Sequence, residues 1–425
     1  MNDPLALAAR AHDHVNPERL LAAIAKLASF GGRADGGVSR QALSEVDLQA
    51  RAWLAEQARL LGCELAIDDC ANLYFRRAGS EDLPPVMSGS HVDTQPVGGK
   101  YDGAYGVVAA MEVLAALNDA GIQTRRPVEV VVWNNEEGSR FSPGTMGSSA
   151  YVDPSRLAGF REVRDGDGVR FADALDRALA QAVGHARKPM AAPVSAFIEL
   201  HIEQGPVLEQ AGTPLGVVTG IQGVSWYRVK VLGQMAHAGT TPMQTRDDAM
   251  ATAVGLAQKL YDYAEAMQQS ALKLTLGRWL VEPNSINTIP GSVEFTIDVR
   301  CPDPAVLEQF DVFLSATLEQ HKKRGALTHE RFFSRAPTAF PTEMQQVVER
   351  AAVHACRTSG NAAPIALTSG AFHDAMYMAD HCPTGMIFVP SEAGISHNAA
   401  EETKPADLVL GARALAHAVT ELACR

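Results

Sequence analysis

Continuous apolar runs and helically spaced apolar positions alternate along this chain, and the alternation predicts a parallel sheet covered by helices. Asn16-Pro17 reads as a cap followed by proline at the first helical position, opening a helix through about Ser29. Ser44, with Asp47 three residues on, opens a second helix, whose Trp53, Leu54, Leu60 and Leu61 read as packing positions. The glycine-rich GGRADGGVSR between them reads as a flexible connector. A short strand from Pro85 to His91 precedes Val107, Met111, Leu114 and Leu117, a helical spacing that stops at Gly121. PVEVVVW, from Pro127, is a β-branched run typical of a strand buried on both faces. Strand, helix, strand in this order implies parallel pairing through a right-handed crossover, and such sheets bind ligands beyond the carboxyl ends of their strands.

The stretch from about Asp153 to Met190 is polar and weakly patterned, as expected of helices on the outside of a domain. SAFIELHIEQG restores a strand, ending in His201. Near Gly220 the pattern changes: a strand with alternating apolar residues Val224, Trp226, Val229 and Val231 leads to a loop carrying His237. A helix follows from about Thr245, with Asp247 and Asp248 in its first turn and Met250, Val254, Ala257 and Tyr261 as its apolar positions. LKLTLGRWLV and SVEFTIDVR read as two strands, Pro304 to Lys322 as a helix, and Leu327 to Phe333 as a last strand. This order is the ferredoxin-like pattern. Chain typical of the first domain resumes near Pro337, with a helix at Thr342 to Thr358, the strand GMIFVP, and a closing amphipathic helix from Ala406 to Ala423. The expected organisation is therefore an α/β domain with a mostly parallel sheet, built from 1–219 and 337–425, and an inserted α+β domain at 220–336.

Composition narrows the class of partner. A length of 425 residues suits about two domains, and 46% hydrophobic with 20% charged residues suits large buried cores. The net charge of −12 argues against nucleic acid, because phosphate binding needs a basic face. Six scattered cysteines form no C-x-x-C pair, which argues against a disulfide framework or a zinc ribbon. The N-terminal residues lack a basic segment followed by an apolar core, and no run of 18 apolar residues occurs, so no membrane association and a cytoplasmic location are expected.

The candidate chemistry gathers at the expected strand ends. In SGSHVDTQPVGGKYDG, His91 stands two residues before Asp93 and eleven before Asp102, with a Gly98-Gly99 turn between. An imidazole ligates a metal well only when its other nitrogen is held, and Asp93 is placed to hold it. Taken alone, His91 could equally be an ordinary buried histidine and Asp102 a helix cap. Glu136 and Glu137 follow the next strand, where adjacent glutamates are usually solvated charge. Two such carboxylates could instead divide the labour, one ligating a metal and one taking a proton from a water. His201 and His397 occupy corresponding positions after later strands.

The motifs GSHVDTQPVGGKYDGAYG, WNNEEGSRF, ELHIEQG, GQMAHAGTTPM, NSINTIPG with DVR, SGAFHDA and GISHNAAE, in this order, resemble the zinc-dependent M20 amidohydrolase and peptidase superfamily. Within it they resemble the branch of N-carbamoyl-L-amino-acid hydrolases, β-ureidopropionases and allantoate amidohydrolases. The resemblance implies a hydrolase with two divalent metals per subunit, zinc first, with manganese, cobalt and nickel as alternatives. Asp102 would bridge the metals, His91, His201, Glu137 and His397 would complete their shells, and Glu136 would be the general base. Gln222, Asn287 and Arg300 would hold a substrate carboxylate, His237 would stabilise the developing oxyanion, and Gly370 and Ala371 would offer backbone hydrogen bonds. The implied substrate is a small anionic carbamoyl or ureido compound, with an N-acyl or peptide substrate as the alternative. The inserted domain would act as a lid and join a homodimer, which brings His237 to the neighbouring subunit's site.

Overall fold

The computed structural model describes residues 3–267, 271–321 and 326–425. The chain forms two compact units, one of Met1–Thr219 with Phe340–Arg425 and one of Gly220–Ala339. In the first, a large mixed sheet has a wholly parallel centre, in which Thr384–Val389, Ala196–Ile202, Val86–His91 and Val128–Trp133 lie side by side. All residues of these four strands are buried, as their apolar runs require when helices cover both faces. Antiparallel strands flank this centre, Gly216–Ile221 on one side and Leu73–Arg77 on the other.

The crossover helix Ala104–Asp119 is apolar almost all round and correspondingly buried. Asn16 and Ser44 cap the helices Pro17–Ser29 and Glu45–Leu60 through their side-chain oxygens, as the cap signals indicated. Leu60, expected to pack, is instead 73% exposed, because it ends its helix on the outer side of Leu54 and Ala58. The connector between these helices is not loose. Val38 bridges to Gly32 and to Gly98, and Arg40 is buried at 1% exposure. Among the described residues no helix is long and apolar enough to cross a membrane, and all six cysteines are free thiols.

The second unit is an antiparallel sheet backed by the helices Ala249–Ala266 and Pro304–His321. Its strand order places Leu327–Arg335 beside Gly223–Leu232, then Ser292–Cys301, with Lys273–Thr275 and Trp279–Glu282 both paired to Ser292–Cys301. Two expectations shift here. The stretch expected as one strand from Leu272 to Val281 is two short ones, interrupted around Gly277. The first helix begins at Ala249 with Asp248 as its cap, and its core face is Ala249, Ala253, Leu256, Ala257 and Leu260, leaving Val254 and Tyr261 exposed. Trp226 lies on the face opposite Tyr227, Val229 and Val231 and packs on Phe332 and Phe333. Lys322 lies outside the described residues.

Candidate metal centre

His91 ends its strand, and the chain returns through the Gly98-Gly99 turn to Asp102, just before the crossover helix. Gly103 is required at that return: its φ is +61°, and a Cβ there would stand 2.3 Å from His91 Nε2. The Nδ1–H of His91 donates to the Asp93 backbone carbonyl (2.9 Å), and that of His201 to the Ile202 carbonyl (2.8 Å). A carbonyl can only accept, so each Nε2 is the nitrogen offered to the site. Asp93 thus holds His91 through its backbone and not its carboxylate, as had been expected. The carboxylate oxygens instead receive the backbone N–H groups of Glu136 and Glu137 (3.2 Å each), fixing the turn that carries both glutamates.

The two oxygens of Asp102 face different partners. Oδ1 is 3.6 Å from His91 Nε2 and 3.2 Å from His201 Nε2. Oδ2 is 3.3 Å from His397 Nε2, which is 3.3 Å from Glu137 Oε2. His91, Asp102 and His201 form one group whose ligand atoms could hold an ion, and Asp102, Glu137 and His397 form another. Ligand atoms about 2.0–2.1 Å from a tetrahedral metal stand about 3.3 Å from one another. Imidazole nitrogens and carboxylate oxygens at these separations therefore fit divalent ions such as zinc.

The charges agree with the geometry. Burial opposes a proton on His91, yet Glu136, Asp102 and Asp93 outweigh it and raise its proton affinity well above the usual imidazole range. The hydrogen bond to Asp102 raises His397 to about 9. Asp102 itself, despite burial, is held far below the carboxylate range by His201, His397 and His91. A divalent cation held there would take the place of those protons and release them on binding. Burial, reinforced by Asp102, lifts Glu137 to about 7. Burial, reinforced by Asp374, Glu137 and Asp102, lifts Glu136 well above its usual range against the pull of His91.

Several supporting side chains went unread in the sequence. Gln95 donates to Glu137 through its backbone N–H (3.1 Å) and its side-chain amide (2.7 Å). Gln204 Nε2 donates to Asp102 Oδ2 (2.8 Å). Arg40 spends its guanidinium on the carbonyls of Val92 (2.7 Å), Leu27 (2.9 Å) and Phe30 (2.7 Å), anchoring the loop after His91 to the end of a helix. Gln95 and Gln204 lie inside the motifs, which was a signal; Arg40 lay in a stretch whose glycines suggested looseness.

The SGAFHDA loop turns inward. His373 donates to or accepts from Ser369 Oγ (3.0 Å) and packs edge-on against the His201 ring at 4.5 Å between centroids. The Ala371 N–H donates to the same Ser369 oxygen (3.1 Å), so it is engaged within its own loop rather than offered to a substrate. In the second unit, the exposed His237 lies on a short ladder opposite Thr288, and the Ala238 N–H donates to the Asn287 carbonyl (3.0 Å), which brings His237 and Asn287 together. Arg300 and Asp298, two apart on one strand, share a face, and the guanidinium forks onto that carboxylate (2.9 and 2.8 Å). Buried Gln222 precedes Gly223, which pairs with Cys301, one residue beyond Arg300.

Residues 87–421 match the family model described as peptidase family M20/M25/M40. An N-carbamoyl-L-amino acid amidohydrolase of Geobacillus stearothermophilus is 38% identical over 96% of this chain and 99% of its own length. An allantoate amidohydrolase of Bacillus subtilis is 35% identical over 93% of this chain and 95% of its own. The crystal structure of an amidase of the hydantoinase/carbamoylase family from Burkholderia multivorans superposes with a TM-score of 0.85 at 39% identity, covering 97% of this chain and 98% of that one.

Proposed function

The chain belongs to the M20/M25/M40 peptidase family, and from that premise we propose that it is a metal-dependent amidohydrolase cleaving the carbamoyl C–N bond of an N-carbamoyl-L-amino acid or a related ureido acid such as allantoate. The observation that carries the metal assignment is the division of Asp102, whose two oxygens each face a separate set of ligand atoms. His91, Asp102 and His201 would hold one divalent ion, and Asp102, Glu137 and His397 the other, with zinc favoured by the mixed imidazole and carboxylate donors and manganese, cobalt or nickel also accommodated. Bound there, such ions polarise a carbonyl and make a water acidic near neutral pH.

The protein's own groups supply the proton traffic and the grip. Glu136, whose proton affinity is raised by burial and by the neighbouring Asp374, Glu137 and Asp102, takes a proton from the attacking water and returns it to the departing nitrogen. The bond between the carbonyl carbon and that nitrogen breaks, the amine leaves protonated, and the carbamate left behind decomposes to ammonia and carbon dioxide. Arg300 binds the substrate carboxylate with its planar fork, assisted by Gln222 and Asn287, and His237 offers a hydrogen bond to the oxygen that becomes negative. Gly370 contributes from the SGAFHDA loop. His237 serves the site of the neighbouring subunit in a homodimer joined through the smaller unit, in a protein working in the cytoplasm.

Ammonia release with and without chelator tests the reading on N-carbamoyl-L-amino acids, N-carbamoyl-β-alanine and allantoate. Chelator-sensitive release from one class is expected. Release of amino acid from N-acyl compounds or dipeptides, with no ammonia from any ureido substrate, would move the protein to a deacylase or peptidase.

A further inference from the structure

Glu401 has no role above, yet at 1% exposure it is among the most buried carboxylates of the chain. Its Oε1 accepts the backbone N–H groups of Tyr101 (3.0 Å) and Asp102 (3.2 Å), and its Oε2 accepts the Ser396 hydroxyl (2.8 Å). One carboxylate thereby ties the loop bearing Asp102 to the loop bearing His397, across 300 positions of sequence. A Cβ at Gly99 would stand 1.9 Å from Glu401 Oε1, so the turn before Asp102 is glycine where this carboxylate passes.

The two sets of ligands are unequally supported. His91 and His201 are buried, and each is held by its own Nδ1–H bond to a backbone carbonyl. The His397 side chain is 51% exposed, and its backbone φ is +54°, a region that L side chains seldom adopt. Its placement therefore depends on the segment around it, in which Ser396 bonds Glu401 and the Glu401 N–H donates to the Asn398 carbonyl (3.1 Å).

We propose that Glu401 is a positioning residue that fixes His397 relative to Asp102, and so sets the affinity of the Asp102, Glu137 and His397 group for the second of two divalent ions. The proposal rests on the two-ion reading above. It is tested by zinc titration of the full-length apo-protein against a chromophoric chelator, with circular dichroism melts to verify folding. Glu401→Ala should keep one tight equivalent and bind the second about 10–100-fold more weakly, the usual scale for residues that orient metal ligands. Glu401→Gln keeps an acceptor oxygen for the two N–H groups, and its amide can donate to Ser396 Oγ, so it should recover most of the lost affinity. Ser396→Ala cuts the link from Glu401 to the His397 segment together with the Ser396 contacts to Asp102 Oδ2 (3.2 Å) and Gln204 Nε2 (3.2 Å), and should weaken the second equivalent in the same direction. If Glu401→Ala does not fold, Glu401→Asp, whose shorter side chain cannot reach all three donors, decides the matter by weakening the second equivalent alone. Unchanged affinity for both equivalents in the folded variants, or equal weakening of both, overturns the proposal while leaving two-ion binding by the unsubstituted protein intact. Fewer than two equivalents in the unsubstituted protein overturns the two-ion reading and the proposal with it.

Discussion

Glu136 Oε2 stands 3.5 Å from His91 Nε2, so the candidate proton acceptor adjoins a candidate metal ligand instead of lying loose on the rim of the sheet. Glutamine matches glutamate in shape but cannot take a proton. Glu136→Gln should therefore retain its metal content and lose at least about a hundredfold in kcat. Metal analysis beside steady-state kinetics checks both halves, and near-normal turnover would remove Glu136 from the role.

Arg300 is pre-oriented by its fork onto Asp298, which limits its freedom before substrate arrives. Lysine supplies the charge without the planar pair of donors. Arg300→Lys should raise KM for carboxylate-bearing ureido substrates about tenfold or more, with a smaller change in kcat. An unaltered KM would show that the carboxylate is bound elsewhere.

Arg40 is buried, and its guanidinium donates to the carbonyls of Val92, Leu27 and Phe30 together. Arg40→Met fills similar space but takes the guanidinium donors from the Val92 and Phe30 carbonyls and leaves the Leu27 carbonyl only the Phe30 N–H (3.2 Å). Unfolding of the variant in urea should show a loss of about 2–4 kcal/mol, as expected for several unsatisfied buried polar groups. A loss below about 0.5 kcal/mol, the level of an ordinary surface change, would mean that water replaces the guanidinium.

The helices Pro4–Asp13, Thr342–Thr358 and Pro405–Cys424 meet at three histidine rings, His12 on His354 and His354 on His417, each pair with centroids 4.9 Å apart. Burial, helped by His354, lowers His417 to about 4, with Glu421 opposing and His12 and Arg350 adding to the shift. Burial likewise lowers His12, with Asp13 opposing and His354 and Arg413 adding. Both rings take up a proton less readily in the folded chain than in the unfolded chain, which does so near pH 6.5, so the stability they contribute is complete above that pH and is lost as pH falls, for His417 toward about 4. His417 alone accounts for on the order of 3 kcal/mol of that loss. His417→Leu should flatten the fall in Tm between pH 6.5 and 4.5, and a slope equal to the unsubstituted protein's would reject the cluster as its source.

Much of this architecture was readable locally. The buried β-branched run before Glu136, the caps at Asn16 and Ser44, and the strand, helix, strand order led to a parallel sheet without reference to distant residues. The candidate ligands were readable because each follows a strand whose neighbours in the sheet are set by the same order. Where the reading slipped, the competing effect was tertiary. The helix face in the second unit turned by about one position, because Leu256 and Leu260 with Ala249, Ala253 and Ala257 pack against the sheet and leave Val254 and Tyr261 outside. The glycine-rich connector became ordered because Val38 and Arg40 found partners in the loop after His91.

The sequence by itself determined the elements and the order in which chemically capable side chains reach the sheet's edge, since periodicity, caps and β-branched runs act between near neighbours. Only the tertiary structure decided how those side chains are held: His91 by the backbone of Asp93, Glu136 and Glu137 by its carboxylate, and Asp102 by Glu401. Hydrogen bonds of that kind join groups as far as 300 residues apart, and their partners are selected by which atoms the folded backbone leaves within about 3 Å, a quantity that no local pattern encodes.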